Sequence, residues 1–291
     1  MTPSDRREFI RRSAAAALAA AAAGPVRNPL FAAEPAPAGT RTLLRAGDTV
    51  TLGKTGIQTS RLAIGTGTKV SRQREMGQRG MCKLWRHGLD QGVRWWEVAD
   101  MYDTHDLVRS TLRQVKRDQV VITTKTMTRN PDGVRDDVER FRREMNTDYI
   151  DVLLLHCLTD PDWTAKMRGE MDALSQAKAK GRVRAVGCSC HSFEALQAAM
   201  NEPWVEFILA RINPFAIIMD VNTPDEVPRV VDVLQTMHDR GKGTCGMKIL
   251  GEGRIQGDRI DESLRFTLRQ PYLDGFVVGF RSLDEFDDLC R

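Results

Sequence analysis

Short apolar runs alternate with amphipathic stretches along most of this chain. The runs fall at 61–65, 94–98, 120–124, 149–155, 183–187, 206–211, 243–249 and 275–278, and helical spacing of apolar positions fills 77–90, 106–115, 133–145, 163–180, 193–200, 224–240 and 258–269. A run such as Asp151-Val152-Leu153-Leu154-Leu155 is apolar on both faces, as a parallel strand covered by helices requires. Eight such units without a Pro- or Gly-rich linker between them predict one closed α/β domain, a (β/α)8 TIM barrel over residues 49–291. Ahead of it, TVTLGKTGIQTS reads as two short strands around a turn at 54–56, an N-terminal β-hairpin cap for the barrel floor, and a short C-terminal helix ends the chain. A doubly wound open sheet is the alternative, but its glycine fingerprint for a dinucleotide is absent. Gly65-Thr66-Gly67-Thr68 after the first strand is only a weak match to a phosphate turn.

Residues 1–33 follow a different pattern. Arg6-Arg7 precede Phe9 and Ile10, then comes an Ala-rich run from Ala14 to Ala23, then small residues and a Pro-rich stretch. This order of basic, weakly apolar and small residues resembles a twin-arginine (Tat) export signal, with cleavage near Ala32 or Ala33 and a linker at 34–48. The expectation is a periplasmic or otherwise exported protein that meets the Tat export machinery and keeps no membrane span, since the apolar run is too short to cross a bilayer. A disordered or amphipathic basic tail is the alternative reading. Composition adds little to this except through charge. The net charge of +4 comes largely from the first 33 residues, and the remaining 38 basic and 37 acidic residues nearly cancel, which argues against a nucleic-acid surface. At 291 residues and 41% hydrophobic content the chain can bury a large core. Its six Cys (82, 157, 188, 190, 245, 290) include no CxxC pair and read as buried thiols. Cys188 and Cys190 point the same way on one strand, and a metal site built from them with Cys245 or His156 lacks a closed ligand set, so no metal is expected.

Chemistry concentrates at the ends of three successive strands: Tyr102 in ADMY, Lys125 in VITTK and His156 in DVLLLH. Barrel strands deliver the residues at their C-terminal ends to one rim. A phenol, an amine and an imidazole around one oxygen suit proton transfer coupled to carbonyl reduction. Strand parity agrees, since Val121, Thr123 and Lys125 share one face, as do Val152, Leu154 and His156. His105, Asp106, Arg211 and the pair Asn213-Pro214 also lie near the expected rim, with helix-start or loop roles as the alternatives.

From LGKTGIQTSRLAIGTGT through WWEVADMY, VVITTKT, DYIDVLLLHC and KGRVRAVGCS to VVGFRS, the chain resembles the aldo-keto reductase superfamily. The resemblance implies hydride transfer between NADP or NAD and a small carbonyl or alcohol substrate. It implies that Tyr102 donates the proton, Lys125 lowers the phenol pKa and His156 positions the carbonyl. Glu97 stands where the family has Asp, five residues before the Tyr, and is expected to pair with Lys125; Asp100 falls on the opposite parity. The implied cofactor residues are Gly65, Thr66, Gly67, Ser189, Cys190, Met247, Lys248, Arg281 and Ser282. Several depart from the family pattern. Cys190 replaces an Asn, Leu209 falls near the place of a Gln, Met247 stands for an aromatic and Lys248 for a small hydroxyl residue, and the tail SLDEFDDLCR is acidic. Those departures keep a second reading open: an exported, non-catalytic TIM-barrel binding or scaffold protein with a degenerate cofactor site.

Overall fold

The computed structural model describes residues 44–67 and 76–291. The proposed signal at 1–33 and most of the linker at 34–48 lie outside the described residues. The last linker residues tie onto the barrel, with Leu62 N–H donating to Ala46 O at 3.0 Å and Arg61 N–H to Asp48 O at 2.9 Å.

A hairpin of β1 (Thr49–Thr51) and β2 (Gln58–Ser60) comes first. Eight strands follow: β3 (Leu62–Gly65), β4 (Trp95–Glu97), β5 (Val121–Thr126), β6 (Ile150–Leu158), β7 (Val183–Cys190), β8 (Phe207–Arg211), β9 (Gly243–Met247) and β10 (Gly275–Val278). They close in sequence order into a barrel, with β10 pairing back onto β3 and every neighbouring pair parallel. The helices are α1 (Gly77–Asp90), α2 (His105–Leu112), α3 (Pro131–Met145), α4 (Trp163–Lys166), α5 (Arg168–Ala179), α6 (Phe193–Asn201), α7 (Val227–Asp239), α8 (Asp258–Leu268) and α9 (Leu283–Cys290). The chain is therefore a (β/α)8 barrel with an N-terminal hairpin. Among the described residues no helix is long and apolar enough to cross a membrane.

Strand alternation sorts the side chains into two cores. Ala63, Trp95, Val121, Val152, Leu154, Ala185, Phe207, Leu209, Cys245 and Met247 fill the barrel, while Trp96, on the other face of β4, stacks on Trp85 of α1 with centroids 4.6 Å apart. Leu52 and Ile57 of the hairpin join the inner cluster, so the hairpin plugs the floor and leaves the C-terminal rim for chemistry. That plug is pinned by Asp274, whose carboxylate accepts from Gly53 N at 3.0 Å and from Thr244 N at 2.9 Å.

Several element ends shift by one to three residues from the sequence expectation, and three differences have a clear structural origin. The helix expected over 163–180 breaks at Met167, which leaves helical geometry (φ −110°, ψ 27°) between α4 and α5. Tertiary anchors fix the two pieces separately: the Trp163 indole donates to Ala195 O at 3.1 Å, and Gly169 abuts Pro131 so closely that a Cβ would lie 2.4 Å from the ring. The stretch at 224–240 opens as a 3-10 turn over Pro224–Glu226, capped by Thr223 and Glu226, before α7 starts at Val227. Strand β6 runs three residues beyond its expected end, through a bulge at Cys157.

Candidate active site

The last inward residue of β4 is Glu97, after which a 3-10 turn over Asp100–Tyr102 carries the phenol; Tyr102 is thus on the turn after the strand rather than on it. The hydroxyl end of the Tyr102 ring packs against Gly67, where a Cβ would sit 2.4 Å from Cζ, so a larger residue there would displace the ring. Lys125 comes from β5 on the same face as Val121, and His156 from β6 on the face of Val152 and Leu154.

These four side chains converge. The Lys125 ammonium, fully buried, donates to the Glu97 carboxylate and to Val98 O at 2.9 Å, and its third direction meets the Tyr102 hydroxyl at 3.4 Å. The same hydroxyl lies 3.4 Å from His156 Nε2, and the two rings meet edge to face at 82°. Contacts of 3.4 Å are weak hydrogen bonds, so the relay is loosely coupled in this geometry. The added methylene of Glu97, relative to Asp, still lets its carboxylate reach Lys125.

Burial dominates the electrostatics. It pushes the Tyr102 phenol well above its ordinary value, with the Glu97 charge adding to the rise. The lowering that the resemblance implies requires the Lys125 charge to outweigh burial first and the Glu97 charge second. Burial also lowers Lys125, against the pull of Glu97, and holds His156 down at about 2, aided by the charge of Lys125. At neutral pH the site therefore presents a protonated phenol and a neutral imidazole.

The residues implied for a cofactor divide. Ser189 lies on the inward face of β7, beside Leu209 in register, and its Oγ accepts from Cys157 N at 3.1 Å. Cys190 shares the opposite face with Cys188, their sulfurs 3.9 Å apart and fully buried, so its thiol does not reach the rim. Met247 packs into the barrel core. Gly65 backs onto Glu97, and Thr66 is buried, donating its hydroxyl to Glu97 O at 3.2 Å and meeting Thr104 at 3.1 Å. Lys248 stands at the rim in a left-handed conformation (φ 61°) but pairs with Glu252 at 2.5 Å. Arg281 pairs with Glu285, and Ser282 caps α9 by accepting from Glu285 N at 3.1 Å. A nicotinamide dinucleotide thus finds the proton-handling group in place, with Ser189 beside it. Lys248 and Arg281 are both engaged by carboxylates, which a phosphate would have to displace.

Other rim candidates serve the scaffold. His105 is buried between Glu144 (2.7 Å) and Thr124 (2.8 Å), and Asp100 pairs with Arg140. Arg211 pairs with Asp220, while the Asn213 amide organises the following loop through Ile217 O and Lys248 O. Sequence reasoning missed two residues beside His156: Cys157, half-buried rather than buried, and His191, whose Nε2 lies 3.7 Å from the Cys157 sulfur. Cys188, Cys190 and Cys245 form no ligand cluster among the described residues; the groupings that do are His156–Cys157–His191 and Asp100–His105–Glu144. HC in LLLHC and CH in SCHS were the available signal.

Comparison with known proteins bears on the family and the fold. The model of the Aldo/keto reductase family matches residues 61–291. Aldo-keto reductase family 1 member C21 of Mus musculus is 22% identical over 149 residues, 43% of this chain and 46% of that protein. Member C15 of Rattus norvegicus is 25% identical over 169 residues, 50% of this chain and 51% of that protein. The chain thus spans about half the length of the curated relatives it matches. Among solved structures, a candidate aldo-keto reductase from Pseudomonas aeruginosa aligns with TM-score 0.70 and 20% identity over 84% of this chain and 94% of that one. The holo form of aldo-keto reductase AKR11C1 from Bacillus halodurans aligns with TM-score 0.67 and 16% identity over 82% and 88%. At these identities the structural likeness speaks for the fold.

Proposed function

The chain belongs to the aldo/keto reductase family, and from that premise we propose that it is an oxidoreductase interconverting a small carbonyl compound and its alcohol, with Tyr102 handling the proton. The observation that carries this reading is the run of contacts from Glu97 through Lys125 to Tyr102 and His156 at one rim. A carbonyl oxygen seated between the Tyr102 hydroxyl and His156 Nε2 would accept a hydrogen bond from each when the phenol is protonated and the neutral imidazole carries its proton on Nε2. As negative charge develops on that oxygen, the phenol proton moves to it. The Lys125 ammonium, 3.4 Å away, then faces the phenolate left behind. Glu97 positions Lys125 and matches its charge. A nicotinamide, when bound, supplies or takes the hydride. Ser189, Lys248, Arg281 and the N-terminus of α9 would hold the dinucleotide, NADP or NAD.

Tyr102→Phe tests the reading, because it deletes the proton donor while keeping the ring on Gly67. Carbonyl reduction should fall by at least about 10²-fold with cofactor affinity unchanged. A full rate in this variant, with chemistry limiting, would remove Tyr102 as the acid. One observation favours the second reading, a binding barrel: Lys248 and Arg281 are each already neutralised by a carboxylate. Native mass spectrometry of freshly folded protein weighs the two: a retained dinucleotide favours the enzyme, and its absence even in freshly folded cytoplasmic material favours the binding barrel.

A further inference from the structure

We infer that His156, Cys157 and His191 form a three-ligand site for a borderline-soft transition-metal ion of the Zn2+ class at the mouth of the barrel. One ligand atom from each side chain lies within 4.8 Å of the other two, and Cys157 Sγ and His191 Nε2 are 3.7 Å apart. A tetrahedral Zn2+, with Zn–S of about 2.3 Å and Zn–N of about 2.0–2.1 Å, spaces sulfur and nitrogen about 3.6 Å apart and two nitrogens about 3.4 Å apart. The sulfur–nitrogen spacing is already met, and the remaining closure is of a size that side-chain rotation provides. Two imidazoles and a thiolate select zinc or copper over magnesium and calcium, which take oxygen ligands.

Two further features point to a ligand here. His156 is 2% exposed and its Nδ1 is buried without a hydrogen-bond partner, while its Nε2 has only the 3.4 Å contact to Tyr102. Other buried polar atoms among the described residues also have no partner, but this one belongs to a side chain of the His156–Cys157–His191 grouping, where a bound ion would satisfy it. Cys157, next in the chain, has φ 57° at the point where the β6–β7 ladder shifts register between Leu155 and Leu158. That left-handed geometry disfavours a residue with a Cβ, and bulges beside active sites re-aim side chains. Here the bulge leaves the thiol half-exposed between two buried neighbours, and Ser189 Oγ fixes it by accepting from Cys157 N. The other grouping, Asp100–His105–Glu144, is internally satisfied: Arg140 pairs with both carboxylates, and His105 bonds Glu144 and Thr124.

Three protein ligands leave a fourth position open for solvent or a substrate oxygen. The site shares His156 with the carbonyl-handling group but does not rest on that reading. Its test uses the purified full chain, stripped with a chelator, then equilibrated with Zn2+ or Co2+ and desalted. About one Zn2+ per chain is expected by elemental analysis, together with a near-ultraviolet thiolate-to-Co2+ charge-transfer band and protection of Cys157 from alkylation, read by peptide mass spectrometry. Cys157→Ser and His191→Gln should each weaken binding by at least about tenfold, whereas Tyr102→Phe should retain it. Absence of the thiolate band in the wild-type protein, or unprotected Cys157 with zinc bound, would overturn the site whether or not the ligand variants fold. A Tyr102→Phe protein that binds zinc and still reduces carbonyls would sink the catalytic reading alone.

Discussion

Replacing Lys125 by Met removes one half of an ion pair in which the Lys side chain is 0% exposed and the Glu97 side chain 6%. Taking one partner from a buried pair costs about 3–5 kcal/mol, because the other charge stays buried without compensation. The Val98 carbonyl loses its donor as well, for about 1 kcal/mol more. For a domain of this size each kcal/mol lowers the melting temperature by roughly 2–4 °C, so at about 4–6 kcal/mol in all Lys125→Met should melt roughly 8–24 °C below the parent. Glu97→Leu should be destabilised similarly, for the converse reason. The double variant should recover to within about 2 kcal/mol of the parent, since burying two charges costs about what their attraction returns and an apolar pair pays neither. The lowering of Lys125 points the same way, since burial outweighs the pull of Glu97. Urea unfolding of the four proteins closes the cycle, and a coupling energy of at least about 3 kcal/mol is expected. If Lys125→Met costs less than about 1 kcal/mol, or the double variant is as unstable as the two singles added, the pair is solvated and the assignment of Glu97 as its partner is wrong.

Burial holds His156 at about 2 and His191 at about 4 and lowers His105, so the unfolded chain, with imidazoles near 6.5, binds more protons as pH falls below that value. Their contribution to stability is complete above pH 6.5 and is lost toward pH 4, at about 1.4 kcal/mol per pH unit for each imidazole. Asp220 and Asp274, raised to about 6, bind protons in the folded state and act in the opposite direction, so the readout is the difference between parent and His191→Gln. That difference should change by about one proton's worth of slope between pH 6 and pH 5, and parallel curves would refute the burial argument. Glu252→Gln frees Lys248 from a partly exposed pair worth up to about 1 kcal/mol, so NADPH should bind up to about fivefold more tightly by fluorescence titration; unchanged or weaker binding would count against Lys248 as a phosphate contact. Replacing Arg6 and Arg7 together by Lys should leave the barrel's melting curve unchanged and hold the protein in the cytoplasm on cell fractionation. Normal export of that variant would remove the twin-arginine reading.

The barrel was legible because its strands are buried on both faces and so read as uninterrupted apolar runs, β10 at 275–278 being recovered to the residue. Helix α1 matched at both ends for a related reason: its apolar stripe at Met81, Leu84, Trp85 and Gly88 is the face it buries. The break at Met167 was hidden because neither Met167 nor its immediate neighbours is Gly or Pro, and Gly169 lies inside the helix that follows. It exists to let Trp163 and Gly169 satisfy neighbours far away in sequence. At the site, parity alone places Lys125 and His156 inward, and the same rule applied to β7 puts Ser189 inward and Cys190 outward. Naming both as cofactor residues followed the resemblance where the alternation already separated them. The neutralising pairs Lys248–Glu252 and Arg281–Glu285 are spaced four apart and were readable from the sequence as well.

Cys157 marks where such reading stops. Alternation assigns the neighbour of an inward His156 to the outer face, among the buried thiols, because the rule assumes an unbroken pleat. A non-glycine residue at φ 57° breaks that assumption, and nothing in LLLHCL signals it, since αL geometry is marked in sequence chiefly by Gly and Asn. What holds the bulge is remote: the Ser189 hydroxyl on β7, 32 residues away, takes the Cys157 N–H that the shifted ladder leaves free. Ser189 therefore has a structural use that any cofactor contact must share, as His156 is shared between the Tyr102 hydroxyl and the Cys157–His191 group. Ser189→Ala tests the first of these links with Cys157 as the reporter. Without its acceptor the bulge loses about 1 kcal/mol, and alkylation of Cys157 should accelerate about fivefold relative to Cys290. An unchanged ratio would mean that the bulge is held by the strand itself.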